Sequence, residues 1–227
     1  MSRLWAGLMG LTLILGLTAP AKATLINMGD GTIYDTDLQL SWLQDANYAK
    51  TSGYDADGLM SWSQAVAWAD TLVFAGFDNW RLPTTLQPDA SCGSQYDPGG
   101  GLSVQGFGYG CTGSEMGHLF YSELGGTAGT SILTSGDPDL ALFSNLQPSW
   151  YWSGTEYAPA TNGAWFFYFP SGGQGADLKS SDLFALAVRP GERSTAVPEP
   201  ATGLLLGAGL AGMVVWRKRL GRPEVCG

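Results

Sequence analysis

Two charge-free apolar stretches, one at each end of the 227-residue chain, decide what the sequence can fold into. Each is flanked by basic residues, and each reads as a processing or membrane segment rather than as part of a globular core. At the start, Arg3 precedes the apolar residues 4–17, and Ala21-Lys22-Ala23 supplies a small-x-small cleavage site. Residues 1–23 are therefore expected to be a secretory signal peptide, cut after Ala23 with Ala21 and Ala23 as its recognition residues. Between the two ends lie residues 24–200, 177 in number, enough for one domain with a sizeable core.

At the other end Val197-Pro198-Glu199-Pro200 closes a linker over residues 191–200 and introduces sixteen residues, 201–216, without a charge. A helix of that length reaches about 24 Å, against a bilayer core of about 30 Å, so it is a short transmembrane helix at most. Arg217-Lys218-Arg219 opens the basic tail of residues 217–227, which is expected on the cytoplasmic side and so leaves the domain outside. The Pro-Glu-Pro triplet, the short apolar helix and the Arg-rich end resemble the PEP-CTERM sorting signal. That resemblance implies an exosortase partner, cleavage near Val197, Pro198, Glu199 and Pro200, and delivery from the inner membrane to the cell surface or extracellular matrix.

The charge of the exported part differs from that of the whole. Residues 24–200 hold five basic residues against nineteen Asp and Glu, a net −14, whereas the whole chain is −9. Such a surface repels nucleic acid. Cys92 and Cys111 lie within this part and Cys226 beyond it. In an oxidising compartment the first two are expected to form a disulfide; a redox-active pair is the alternative, without CxxC spacing or a basic neighbour to favour it.

Local patterns give an order of strands, helices and strands again. A hairpin is predicted from residues 32–35 and 40–44. A helix follows, opened by a Ser61/Gln64 capping box, with Trp62, Ala65, Val66, Ala69, Leu72 and Val73 as its apolar stripe up to Gly76. Residues 80–84 read as extended, because the residue before Pro83 is pushed out of helical geometry. Residues 88–110 read as a long Gly- and Ser-rich loop, and a second capping box at Thr112/Glu115 predicts a second helix. Strands are predicted over 150–153, 164–169, 177–179 and 185–189, with the first and last strands meeting in one sheet.

The succession Gly31-Thr32-Ile33-Tyr34-Asp35, Leu40-Ser41-Trp42, Ser61-Trp62-Ser63-Gln64-Ala65, Trp80-Arg81-Leu82-Pro83-Thr84, Tyr151-Trp152-Ser153 and Ala187-Val188-Arg189 resembles the Lcl C-terminal domain family. That family is a domain of unknown function named for a collagen-like surface adhesin. The resemblance spans residues 24–190 and implies a C-type-lectin-like fold. The expected architecture is thus α+β: a single domain with a mixed or antiparallel sheet and two main helices, followed by the C-terminal transmembrane helix. Trp80, Arg81, Leu82, Pro83 and Arg189 are its structural motif, the two arginines pairing with buried acids or capping loops.

Chemistry is less legible. His118 is the single histidine, and with Glu115 it forms an ExxH pair on a predicted helical turn. No GxSxG nucleophile elbow accompanies it, and a surface or supporting role for His118 is expected. Calcium is the candidate ion, at Asp55 and Asp57 of Tyr54-Asp55-Ala56-Asp57-Gly58, with Asp35-Thr36-Asp37 a second oxygen-rich loop; turn formation explains the same aspartates without an ion. Asn79, Trp80, Trp150 and Tyr151 are candidate sugar-binding residues, because an exposed aromatic ring beside amide groups suits a pyranose face. The expected function is a non-enzymatic binding or adhesion module acting on extracellular polysaccharide in a biofilm; the alternative is a hydrolase or modifying enzyme acting on that polysaccharide.

Overall fold

In the computed structural model, which describes residues 24–191, the chain opens on β1 (Leu25–Asn27), β2 (Thr32–Asp35) and β3 (Leu40–Leu43). These pair antiparallel in order. The β2–β3 turn is made by its own sequence. Asp35 Oδ1 accepts the Asp37 and Leu38 N–H groups at 3.0 and 2.9 Å, and Gln39 takes a left-handed φ of 54°. The last strand, β9 (Val188–Pro190), then pairs antiparallel with β3, placing Val188 opposite Trp42 and Pro190 opposite Leu40. The chain's two ends therefore meet in one four-stranded sheet of order β1-β2-β3-β9, as the element order suggests.

A second antiparallel sheet is formed by β6 (Trp150–Glu156), β7 (Gly163–Tyr168) and β8 (Gly173–Leu178). The two sheets are joined by the segment before β9. Leu183 bridges Met60, Phe184 is hydrogen-bonded with Trp150 and Trp152, and Val188 exchanges both backbone hydrogen bonds with Arg81 at 2.8 Å. The core fills the space behind this seam, with Trp42, Trp152, Phe120, Phe167 and Phe169 fully buried. Burial of aromatics on this scale supplies most of the driving force, at about 1.5–3 kcal/mol for each large apolar side chain.

The helical elements depart from expectation in instructive ways. After the short α1 (Tyr48–Thr51), α2 spans Trp62–Thr71 and starts on the predicted Ser61/Gln64 capping box. It stops short of Gly76, however. Leu72 is extended and Val73 is 71% exposed, because Phe74 and Phe77 close a tight turn through left-handed Ala75 and Gly76. That turn holds the Phe74 ring against Tyr48 and Trp80, at 4.9 and 6.1 Å between centroids. The second helix is only α3 (Glu115–His118), continued by a π-type turn over Leu119–Glu123. Its capping box does not form, because Glu115 is drawn into an ion pair with Arg81.

The 88–110 segment is more ordered than a loop. It contains a hairpin of β4 (Ser94–Tyr96) and β5 (Gln105–Phe107), and Gly108 continues it onto β8 through two hydrogen bonds with Gln174. The Cys92–Cys111 disulfide closes its base. The signal peptide with Ala21 and Ala23, the linker with Val197, Pro198, Glu199 and Pro200, the apolar stretch 201–216 and the tail 217–227 all lie outside the described residues. Among the described residues no helix is long and apolar enough to cross a membrane.

Candidate functional site

At the start of β6, the face of the second sheet that carries buried Trp152 further along gathers aromatic rings that strand alternation alone places together. Trp150 and Tyr168 are direct cross-strand partners, and Phe166 stands two residues along β7 on the same face. The Trp150 ring lies 5.4 Å from Tyr168 and 6.0 Å from Phe166 between centroids. Trp150 is 44% exposed, and the other two rings are partly so. Across the sheet the neighbours of Phe166 and Tyr168 are Gly175 and Gly173. A Cβ on Gly175 would sit 2.7 Å from the Phe166 ring, so the glycine is what lets that ring lie down against the sheet.

The other predicted sugar-contacting residues separate from Trp150. Tyr151 points to the opposite face and is fully buried; its hydroxyl accepts the Gln147 N–H at 2.8 Å, and burial pushes its pKa well up. Trp80 is also core: its indole donates to the Phe74 carbonyl at 3.4 Å. Asn79 is exposed but stands beside a buried ring. Of the rings at Asn79-Trp80 and Trp150-Tyr151, Trp150 alone is exposed, and its neighbours on the sheet are Phe166 and Tyr168. Phe166 and Tyr168 stand at alternate positions of the apolar run 164–169, which carries no local sign of which rings stay partly exposed.

The Trp80-Arg81-Leu82-Pro83 motif acts as a structural clasp. Arg81 binds Glu115 through both guanidinium nitrogens, at 2.7 and 2.8 Å, and Glu115 Oε2 also accepts the Thr84 N–H at 2.7 Å. The backbone on either side of Pro83 joins β6: the Pro83 carbonyl accepts from Gly154 N–H at 2.8 Å and Ser153 hydroxyl at 3.0 Å. Leu82 is buried beneath. Arg189 lies with its guanidinium 3.3 Å from the centre of the Phe77 ring, a cation–π stack.

With Glu115 committed to Arg81, the ExxH pair is not a unit. His118 turns instead to Glu123, whose Oε1 is 3.1 Å from Nε2, and Asp37 Oδ2 approaches at 4.0 Å. The Glu123 hydrogen bond raises the His118 pKa above its ordinary value against the opposing effect of burial, and Asp35 and Asp37 add to the rise. Asp55 and Asp57, the calcium candidates, are turn-formers: Asp55 Oδ1 accepts the Asp57 and Gly58 N–H groups, and Asp57 Oδ1 accepts that of Leu59. Those backbone donors hold the Asp55 carboxyl below its usual pKa.

Comparison with known proteins places one signal on the chain: the PEP-CTERM protein-sorting motif matches residues 196–219. No curated protein and no solved structure matches it. The motif marks an exported protein sorted by exosortase and held at the membrane before processing.

Proposed function

We propose that this is an envelope or extracellular-matrix protein whose folded domain binds extracellular polysaccharide through the Trp150, Phe166 and Tyr168 face, without turning the polymer over. The observation that carries the reading is the half-exposed Trp150 ring, propped by two further rings and bordered by glycines, on the rigid face of a sheet. A flat, dry, polarisable surface of this kind stacks on sugar rings, whose axial C–H groups meet the negative faces of the aromatics. The sorting motif supports the destination, since it sends proteins toward a polysaccharide-rich envelope. A C-type-lectin-like domain of the Lcl C-terminal kind over residues 24–190 is part of the proposal, supported by the motif succession in the sequence and by the pairing of the first strands with the last.

Native gel electrophoresis through immobilised exopolysaccharide tests it. The protein is expected to be retarded, the variant Trp150→Ala to migrate freely, and no new reducing ends to appear. Retardation that survives Trp150→Ala, or release of shortened sugars, overturns the reading in favour of another surface or of a hydrolase.

A further inference from the structure

Behind the β2–β3 turn lies a second cluster that the aromatic face does not use. Asp35 ends β2 and is fully buried; His118 ends α3; Glu123 ends the π turn. One donor atom from each lies within 4.8 Å of the other two. The π turn is what makes this possible. On an α-helix two residues five positions apart point about 140° away from each other, whereas here Leu124 N–H donates to the Leu119 carbonyl at 3.0 Å and the wider turn swings Glu123 round to His118.

A second observation is independent of the clustering. The Glu123 side chain is 1% exposed and its Oε2 has no hydrogen-bond partner, although its Oε1 is engaged by His118. Two buried carboxylates here face one imidazole. A protonated His118 would balance one negative charge and still leave Glu123 Oε2 buried without a donor, at a substantial desolvation cost. A divalent cation balances both.

We propose that Asp35, His118 and Glu123 bind one divalent transition-metal ion of the zinc type, with Asp37 at the solvent side of the site. Zinc bound by nitrogen and carboxylate oxygen at about 2.0–2.2 Å sets tetrahedral donors about 3.3–3.6 Å apart, so the 3.1 Å between His118 Nε2 and Glu123 Oε1 needs to open by only a few tenths of an ångström to admit the ion. A nitrogen donor and a small donor number select this class over calcium, which takes six to eight oxygens. Asp35 is held in place at both oxygens, Oδ1 by the turn and Oδ2 by the Trp42 indole at 3.3 Å. Asp37, 47% exposed, borders the way in.

Because the chain has a single histidine, the test can be read at one residue. The full chain, labelled with 15N-histidine and held in mild detergent, is titrated with Zn2+ and followed by NMR, with metal content measured after dialysis. One Zn2+ per chain is expected, with the Nε2 resonance moved to a metal-bound position and no longer titrating with pH. His118→Gln is expected to weaken binding by more than about 100-fold, beyond the loss typical of an outer partner, and Asp37→Asn by less. An unmoved histidine signal under bound Zn2+, undiminished binding in His118→Gln, or an equal response to Ca2+ overturns the assignment. If His118→Gln does not fold, the wild-type histidine spectrum alone decides.

Discussion

Arg81 ties two distant elements to one short segment. Its guanidinium grips Glu115 with both nitrogens while its backbone is laced to Val188, so α3 and β9 are held to the same short segment. Replacing it with alanine leaves Glu115, whose side chain is largely covered, with a charge and only the Thr84 N–H to meet it. Arg81→Ala is expected to lower stability by about 1–3 kcal/mol, read as a shift of the urea midpoint at constant slope. Arg81→Lys should recover little of it, because an ammonium cannot reproduce the planar two-point contact. Trp150 is the opposite kind of residue: it adds little to folding and much to the outer face. Trp150→Ala is expected to move the thermal midpoint by no more than about 2–4 °C, as for a change near 1 kcal/mol, while abolishing retardation by polysaccharide. At this scale the sequence revealed residue types but not their sides. Trp80, Trp150 and Tyr151 read alike along the chain, and only packing against Phe74 and Gln147 sends two of them inward.

Elements with local determinants were readable, and those with distant ones were not. The β2–β3 hairpin is specified by Asp35 and its neighbours, and the start of α2 by Ser61 and Gln64, so the hairpin and that helix start stand where the sequence predicts them. The second capping box failed because Glu115 found a stronger partner thirty-four positions away in Arg81. The π turn left no local trace at all, which is why the sequence offered an ExxH pair and the fold delivers His118 with Glu123 and Asp35. The hairpin β4–β5 was hidden for a related reason: its strands are only three residues long and have no apolar alternation, and they gain order from the disulfide and from Gln174. A crosslink over a separation of 19 residues is worth about 3 kcal/mol in loop entropy. The double variant Cys92→Ser/Cys111→Ser is expected to lose about that much stability. Hydrogen exchange should rise first over residues 92–111, since the rest of the core does not depend on the crosslink.

For the molecule as a whole, the position of β9 determines what sorting can do to the fold. The strand ends at Pro190, and the Gly191 N–H still donates to the Gln39 carbonyl at 2.7 Å, so the sheet is complete before the motif at residues 196–219 begins. Cleavage near Pro198-Glu199-Pro200 therefore leaves every strand of the four-stranded sheet in place. Two outcomes follow from this spacing. In cells, replacing Pro198, Glu199 and Pro200 with alanine is expected to leave the chain in the membrane fraction at full mass, while the natural sequence yields a shortened form outside it. In solution, that shortened form and a chain ending at Gly191 are expected to share one thermal midpoint and one affinity for polysaccharide. A further deletion of residues 188–190 should behave quite differently. It strips β3 of one of its two partners and frees Arg81 from Val188, exposing the buried Trp42 edge at the seam between the sheets. Loss of cooperative unfolding in that deletion, beside an intact transition in the chain ending at Gly191, would locate the boundary between the folded domain and its sorting tail within a few residues of Pro190.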